Sequence, residues 1–100
     1  MKVPPQTIVK YIRKGNKTPY GVIVAVKRPD GEVSIDYALC KKGDRFTKAM
    51  ALEIAIGRAM KGREDFSRTL PRSIAKEMSE FNERAAKYYR TTVEEIYTYV

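Results

Sequence analysis

The sequence predicts an α+β fold in which a three-stranded antiparallel meander precedes two long helices and a short terminal helix. In residues 1–43, apolar residues alternate or form short β-branched runs between turn sequences. In residues 44–100 they recur at helical spacing. One hundred residues with 43% hydrophobic content are typical of a single folded domain. We therefore expect one domain, 1–100, with the helical part packed on the sheet.

The three predicted strands occupy residues 7–13, 20–28 and 32–40. The first two are rich in β-branched residues, and the third alternates apolar and polar residues throughout. Gly15-Asn16 and Pro29-Asp30-Gly31 supply the turn chemistry between them. Short turns join antiparallel neighbours, so the first turn and the end of the third strand should share one end of the sheet. The second turn should lie at the opposite end.

The first predicted helix begins at a cap, Asp44 or Thr47, and runs to about Lys61. Its apolar residues spread around most of the circumference, so it should be covered by the sheet on one side and by the second helix on another. The second helix begins near Pro71 and carries an apolar seam with 4-3-4-3 spacing. That seam consists of Ile74, Met78, Phe81, Ala85 and Tyr88. A capping-box pattern at residues 92–95 predicts the short terminal helix.

The positive charge is concentrated in the predicted sheet and first helix. Twenty Lys and Arg against 12 Asp and Glu give a net charge of +8. Residues 1–43 contribute +6, residues 44–62 contribute +2, and residues 63–100 carry seven charges of each sign. Such an excess favours a phosphate-rich partner. The predicted phosphate contacts are Arg13, Lys14, Lys17, Lys27, Arg28, Lys41, Lys42, Arg45, Lys48 and Arg58. The candidate stacking residues are Phe46, Tyr20 and Tyr37.

One strip of the first helix consists of two alanines between two cations. Lys48, Ala51, Ala55 and Arg58 form it. It predicts either close approach of a phosphate group or of a partner's backbone, or burial of the alanines under a neighbouring helix with the cations solvated. Gly57 inside this helix is unfavourable by roughly 1 kcal/mol relative to alanine. Together with the tyrosine-rich C-terminus, it favours a homo-oligomer formed through the helices.

The residue types argue against catalysis and metal binding. The chain has no histidine and one cysteine, Cys40, so one chain cannot build an ordinary zinc site or an internal disulfide. No catalytic motif or phosphate-binding glycine loop is present. No signal peptide or membrane span is expected. The prediction is a cytoplasmic protein, in the host cytoplasm if viral, with no enzymatic activity and no cofactor.

A segment of about a quarter of the chain, residues 34–61, resembles small uncharacterised proteins of tailed phages. A strand ending in Leu-Cys precedes Lys-x-x-Asp-x-Phe-x-Lys and then Ile-Ala-x-Gly-Arg-Ala. The matching residues are Leu39, Cys40, Lys41, Asp44, Phe46, Lys48 and 54–59. The resemblance implies a phage setting. In architecture alone, a three-stranded meander followed by a helix is also similar to DNA-binding domains that lay a sheet in the major groove.

These observations predict a phage-type basic protein that binds nucleic acid, DNA or RNA, as a host-takeover or accessory factor. One alternative is an anti-defence sponge, a homo-oligomer that sequesters a small cyclic nucleotide in a pocket around Arg58 and Lys48. Another is a protein inhibitor of a host enzyme. In each case the partner is anionic or binds the basic surface, and the charge distribution favours nucleic acid over a small nucleotide. The sequence does not distinguish DNA from RNA.

Overall fold

The predicted order of three strands and two helices is confirmed. A computed structural model of the protein describes residues 3–13, 15, 18–40, 45–61, 69–70, 72–90 and 98–99. Its elements are β1 (Ile8–Ile12), β2 (Gly21–Lys27), β3 (Val33–Leu39), α1 (Lys48–Lys61), β4 (Thr69–Leu70), a 3-10 helix (Arg72–Ile74), α2 (Ala75–Tyr89) and β5 (Thr98–Tyr99). The predicted helix boundaries Asp44 and Pro71 lie outside the described residues.

The first three strands form an antiparallel meander in the order β1-β2-β3. At one end of the sheet, Ile12, Gly21 and Leu39 lie side by side, so β1 and β3 finish where β2 begins. At the other end, the β2–β3 turn is closed by hydrogen bonds from the Arg28 and Gly31 amides. Gly31 has φ of +89°, which glycine adopts without the strain that a side chain would add. The predicted positions of the two turns are confirmed.

The sheet is covered on both faces, which makes the domain a three-layer arrangement with α1 and α2 on opposite sides. Every residue from Val22 to Val26 in β2 is 0% exposed. Val22, Val24 and Val26 pack against Ala55, Ile56 and Ala59 of α1. The alternate positions Ile23 and Ala25 pack against Ile74, Met78, Phe81 and Ala85 at the α2 side.

The expected packing of the second helix against the first was therefore wrong. A strand with apolar residues at five consecutive positions has two apolar faces, and each face needs its own cover. The two helices supply one cover each. Because both faces are occupied, the sheet cannot lie in a DNA groove in the manner of the architectural analogy.

The predicted seam of α2 is confirmed at Ile74, Met78, Phe81 and Ala85, all of which are buried. Tyr88 is the exception, since it is 51% exposed. Its neighbour Tyr89 packs against the core instead. The Tyr89 hydroxyl donates to two carbonyl oxygens, those of Gln6 and Ala25.

The C-terminus contains a pairing that the sequence does not suggest. Thr98–Tyr99 pairs in parallel with Thr69–Leu70. The capping-box residues 92–95 lie outside the described residues, so the start of the expected terminal helix stays a prediction. The described part of this segment, Thr98–Tyr99, is a strand and not a helix.

Candidate anion-binding site at one end of the sheet

Two cation-rich segments leave the same end of the sheet. The Tyr20 amide donates to the Ile12 carbonyl, and the Cys40 amide donates to the Tyr20 carbonyl, both at 2.8 Å. The chain therefore leaves β1 and β3 on either side of Tyr20, about 10 Å apart at two strand spacings. The departing segments, 13–17 and 41–45, hold six cations and one acid. We call this region the basic end; its cations are Arg13, Lys14, Lys17, Lys41, Lys42 and Arg45.

The described cations of the basic end are on the surface. Arg13 and Arg45 are both exposed. Lys14, Lys17, Lys41 and Lys42 lie outside the described residues. They are assigned to the basic end by chain connectivity, because each follows Arg13 or Cys40 by one to four residues.

The N-terminus of α2 points toward the basic end, and α1 begins beside that end. The Nζ atom of Lys48, the first residue of α1, lies 5.1 Å from the ring centroid of Tyr11, one position before the end of β1. In α2, the last residue, Tyr89, bonds to Gln6 and Ala25 toward the opposite end of the sheet. The N-terminal positive pole of the α2 dipole therefore adds to the positive potential of the basic end.

One acid lies at the start of α2 near this end. Burial, and to a smaller extent the Glu77 carboxylate, raises the pKa of the Tyr20 hydroxyl. Tyr20 is half-buried and packs against the core on the α2 side. The Tyr20 hydroxyl therefore stays neutral at physiological pH and contributes no negative charge to the basic end.

An aromatic pair lies beside the basic end. Phe46 and Tyr11 meet edge to face, with ring centroids 6.4 Å apart and planes at 89°. Phe46 is half-buried, so part of its surface is accessible. Tyr37 is only 6% exposed and belongs to the core, so no base can stack on it. Tyr20 and Phe46 both lie at the basic end, but Tyr20 packs against the core on the α2 side, so Phe46 is the better placed of the two for stacking.

Sequence reasoning missed Tyr11 as a member of this group. Val9 and Tyr11 pack on the α1 side of β1, whereas Ile8 and Ile12 belong to the core on the α2 side. The alternation within TIVKYIR already places Val9 and Tyr11 on one face of the strand and Ile8 and Ile12 on the other. It became useful only once both faces of the sheet were known to be covered.

The opposite end of the sheet, which holds the predicted phosphate contacts Lys27 and Arg28, is locally neutral. Here Lys27 and Arg28 are accompanied by Asp30 and Glu32. An Arg28 guanidinium nitrogen lies 3.5 Å from Asp30 Oδ2. Asp30 Oδ1 also accepts a hydrogen bond from the Glu32 amide at 2.9 Å, which holds the carboxylate in the turn. Arg28 is thus partly neutralised within its own turn.

The alanine strip of α1 faces the sheet and not a ligand. Ala55 is 0% exposed, and Ala51 packs against the same cluster. The alanines are buried, as the second interpretation expected, but the sheet covers them and not a helix. Arg58 Nη1 donates to the Tyr37 carbonyl at 3.0 Å, so this cation ties α1 to β3.

Lys48 and Arg58 do not form one pocket within a single chain. They are ten positions apart in α1, which corresponds to about 15 Å along the helix axis. Lys48 lies over the Tyr11 ring, and Arg58 reaches the Tyr37 backbone. Within the described residues, these two cations therefore have separate contacts on β1 and β3.

Other kinds of site find no support in the described ranges. They contain no group of three or more His, Cys, Asp or Glu side chains arranged to hold a metal ion. None of their helices is long and apolar enough to cross a membrane. Neither a protein-family model, nor a curated protein, nor a solved structure matches this chain.

Proposed function

We propose that this protein is a non-enzymatic nucleic-acid-binding protein that contacts the phosphates of DNA or RNA with its basic end. We infer from the resemblance of residues 34–61 that it serves a tailed phage as an accessory or host-takeover factor. The observation that carries the proposal is the departure of two cation-rich segments from one end of the sheet.

The cations of the basic end act together because of their spacing. The two segments leave the sheet about 10 Å apart, which is close to the Debye length of roughly 8–10 Å at physiological ionic strength. Six cations against one acid therefore produce one positive field instead of six isolated charges. The N-terminus of α2 strengthens this field.

The covered sheet favours contact with the phosphate backbone over reading of bases in a groove. α1 and α2 occupy both faces of the sheet. The outer surface of α2 carries acids as well as bases, such as Glu80 and Glu83 beside Arg84 and Lys87. Neither the sheet nor α2 therefore offers a uniformly basic surface to a groove. We expect weak dependence on base sequence and strong dependence on salt.

The salt dependence of binding tests this proposal. Six phosphate contacts predict a slope of log K against log salt concentration of about −5 on duplex DNA, at roughly −0.9 per contact. Fluorescence anisotropy with labelled duplex and single-stranded oligonucleotides measures it. Affinity that does not change between low and high salt would contradict the proposal.

A matched pair of double variants locates the contacts. Lys14→Ala/Lys17→Ala removes two cations from the basic end and should reduce the magnitude of the slope by about 2. Lys27→Ala/Lys87→Ala removes the same charge from residues toward the other end of the sheet and should leave the slope nearly unchanged. Equal changes in both variants would show that net charge, and not the basic end, drives binding.

Calorimetry with a panel of cyclic nucleotides separates the proposal from the small-nucleotide alternative. We expect no saturable heat from any of them, because Lys48 and Arg58 are about 15 Å apart along α1. Saturable binding of a cyclic nucleotide, with no response to DNA or RNA, would replace the proposed function.

A further inference from the structure

The outward face of α1 carries a short apolar strip, which ends at Lys61 one turn after Gly57. Met50 is 63% exposed and Ile54 is 43% exposed, and these residues are one helical turn apart. Gly57 continues the strip by a further turn. Within the described residues, a Cβ atom added at Gly57 would meet nothing within 4 Å. None of those residues lies close enough to position 57 to require glycine, and glycine weakens a helix. We therefore expect another molecule to pack closely against α1 at this position.

The charges beside this strip are arranged for a second copy of the same helix. Met50, Ile54 and Gly57 occupy successive d, a and d positions of a heptad pattern. Glu53 then occupies a g position and Arg58 the following e position, and both are exposed. In a parallel helix pair, g of one chain faces the following e of the other, so Glu53 of each copy faces Arg58 of its partner copy. An antiparallel pair would bring each Glu53 near its own counterpart and each Arg58 near its own.

Arg58 is positioned for this role. Its Nη1 is held by the Tyr37 carbonyl at 3.0 Å, which fixes the guanidinium against the domain. A guanidinium has five N–H donors, so the bond to Tyr37 leaves others for a carboxylate. The exposed Glu53 carboxylate has no such anchor among the bonds described for α1, and in the pair it would gain a fixed cationic partner.

We propose that two copies of this chain associate through the outward faces of α1 as a parallel, two-fold symmetric pair. Met50 and Ile54 form its apolar centre, and Glu53–Arg58 pairs flank it. Because α1 begins beside the basic end, this arrangement places the two basic ends on the same side of the dimer. The dimerisation does not depend on the proposed nucleic-acid binding, but it would double the phosphate-binding surface.

The dependence of the protein's apparent molecular mass on its concentration tests the proposed dimer surface. α1 has 14 residues, only two heptads, so we expect a weak dimer. Sedimentation equilibrium at concentrations on the order of 10 µM to 1 mM should therefore cover the transition. Ile54→Asp should remain monomeric throughout. Glu53→Arg should weaken the dimer roughly tenfold or more through like charges facing each other. Glu83→Arg makes the same charge change on α2 and should have little effect.

Cross-linking tests the orientation. In a parallel pair each d position lies opposite its own copy, so Met50→Cys should form a disulfide between the two residues 50 on mild oxidation. Peptide mapping distinguishes this bond from any that involves Cys40. A wild-type protein that stays monomeric over the whole range, or a dimer that survives Ile54→Asp, would overturn the proposal. A dimer in which Met50→Cys does not cross-link to itself would overturn the parallel arrangement.

Discussion

Two isoleucines two positions apart in α1 provide a direct test of how the helix lies on the sheet. Ile56 is 4% exposed and packs against the valines of β2, whereas Ile54 is 43% exposed on the outward face. Truncation of a buried isoleucine to alanine costs about 2–5 kcal/mol, because the lost contacts leave a cavity. We expect Ile56→Ala to reduce the free energy of unfolding by about 3 kcal/mol, a large part of the 5–15 kcal/mol typical of a domain.

Urea denaturation followed by circular dichroism measures the effect. With an m-value of roughly 1.5 kcal/mol/M, a loss of about 3 kcal/mol lowers the midpoint by about 2 M. Ile54→Ala should change stability by no more than about 0.5 kcal/mol, since it creates no cavity and alanine favours the helix. The comparison must be made at a concentration at which both variants are monomeric, because Ile54 belongs to the proposed dimer surface. Equal losses from the two variants, or a greater loss from Ile54→Ala, would refute the assigned orientation of α1.

Four further predictions follow from the other layer, the hydrogen bonds and the basic end. Phe81→Ala should cost about 3–5 kcal/mol in urea denaturation, and Tyr88→Ala much less, because Phe81 is 1% exposed and Tyr88 51%. Burial, followed by the neighbouring Tyr88, raises the pKa of Tyr89 to about 12, so the folded state favours the protonated hydroxyl. The stabilisation that the Tyr89 hydroxyl provides should be fully present below about pH 10 and lost as pH rises toward 12. Tyr89→Phe should cost about 1 kcal/mol at neutral pH. In a series of thermal melts at different pH, this variant should also lose that part of the alkaline sensitivity. Gly57→Ala should stabilise the monomer by about 0.5–1 kcal/mol, because an added Cβ atom meets none of the described residues within 4 Å. A destabilisation would show that other atoms occupy that space. Phe46→Ala should weaken binding of single-stranded DNA more than that of duplex DNA by anisotropy, and an equal loss on both would exclude base stacking at this position.

Local patterns were enough to predict the three strands of the meander and the two long helices. Turn residues and alternation placed the strands within one or two residues of their observed ends, since both report on neighbouring residues along the chain. The same patterns located the α2 seam at Ile74, Met78, Phe81 and Ala85. They also placed the first turn and the end of β3 at one end of the sheet, from which the site is built. Tyr88 differs from the pattern: it is exposed, and the half-buried Tyr89 packs against the core and bonds to backbone carbonyls instead.

The layering of the domain was decided by tertiary structure. A helix that is apolar on most sides, such as α1, does not reveal by its own periodicity which side meets the sheet. The run from Val22 to Val26 did indicate a strand with two apolar faces, but only the packed fold shows which helix covers each face. The pairing of Thr69–Leu70 with Thr98–Tyr99 joins segments far apart in the chain, and no local pattern specifies it.

The sequence by itself determined the amount of positive charge and the segments that carry it. Tertiary structure decided which of those charges act together. Arg13 and Arg45 belong to segments that leave the same end of the sheet, whereas Arg28 is paired with Asp30 at the other end and Arg58 ties α1 to β3. The physical reason is that a charge count is a sum over the chain, while an electrostatic field depends on distances that only the folded strands and helices set.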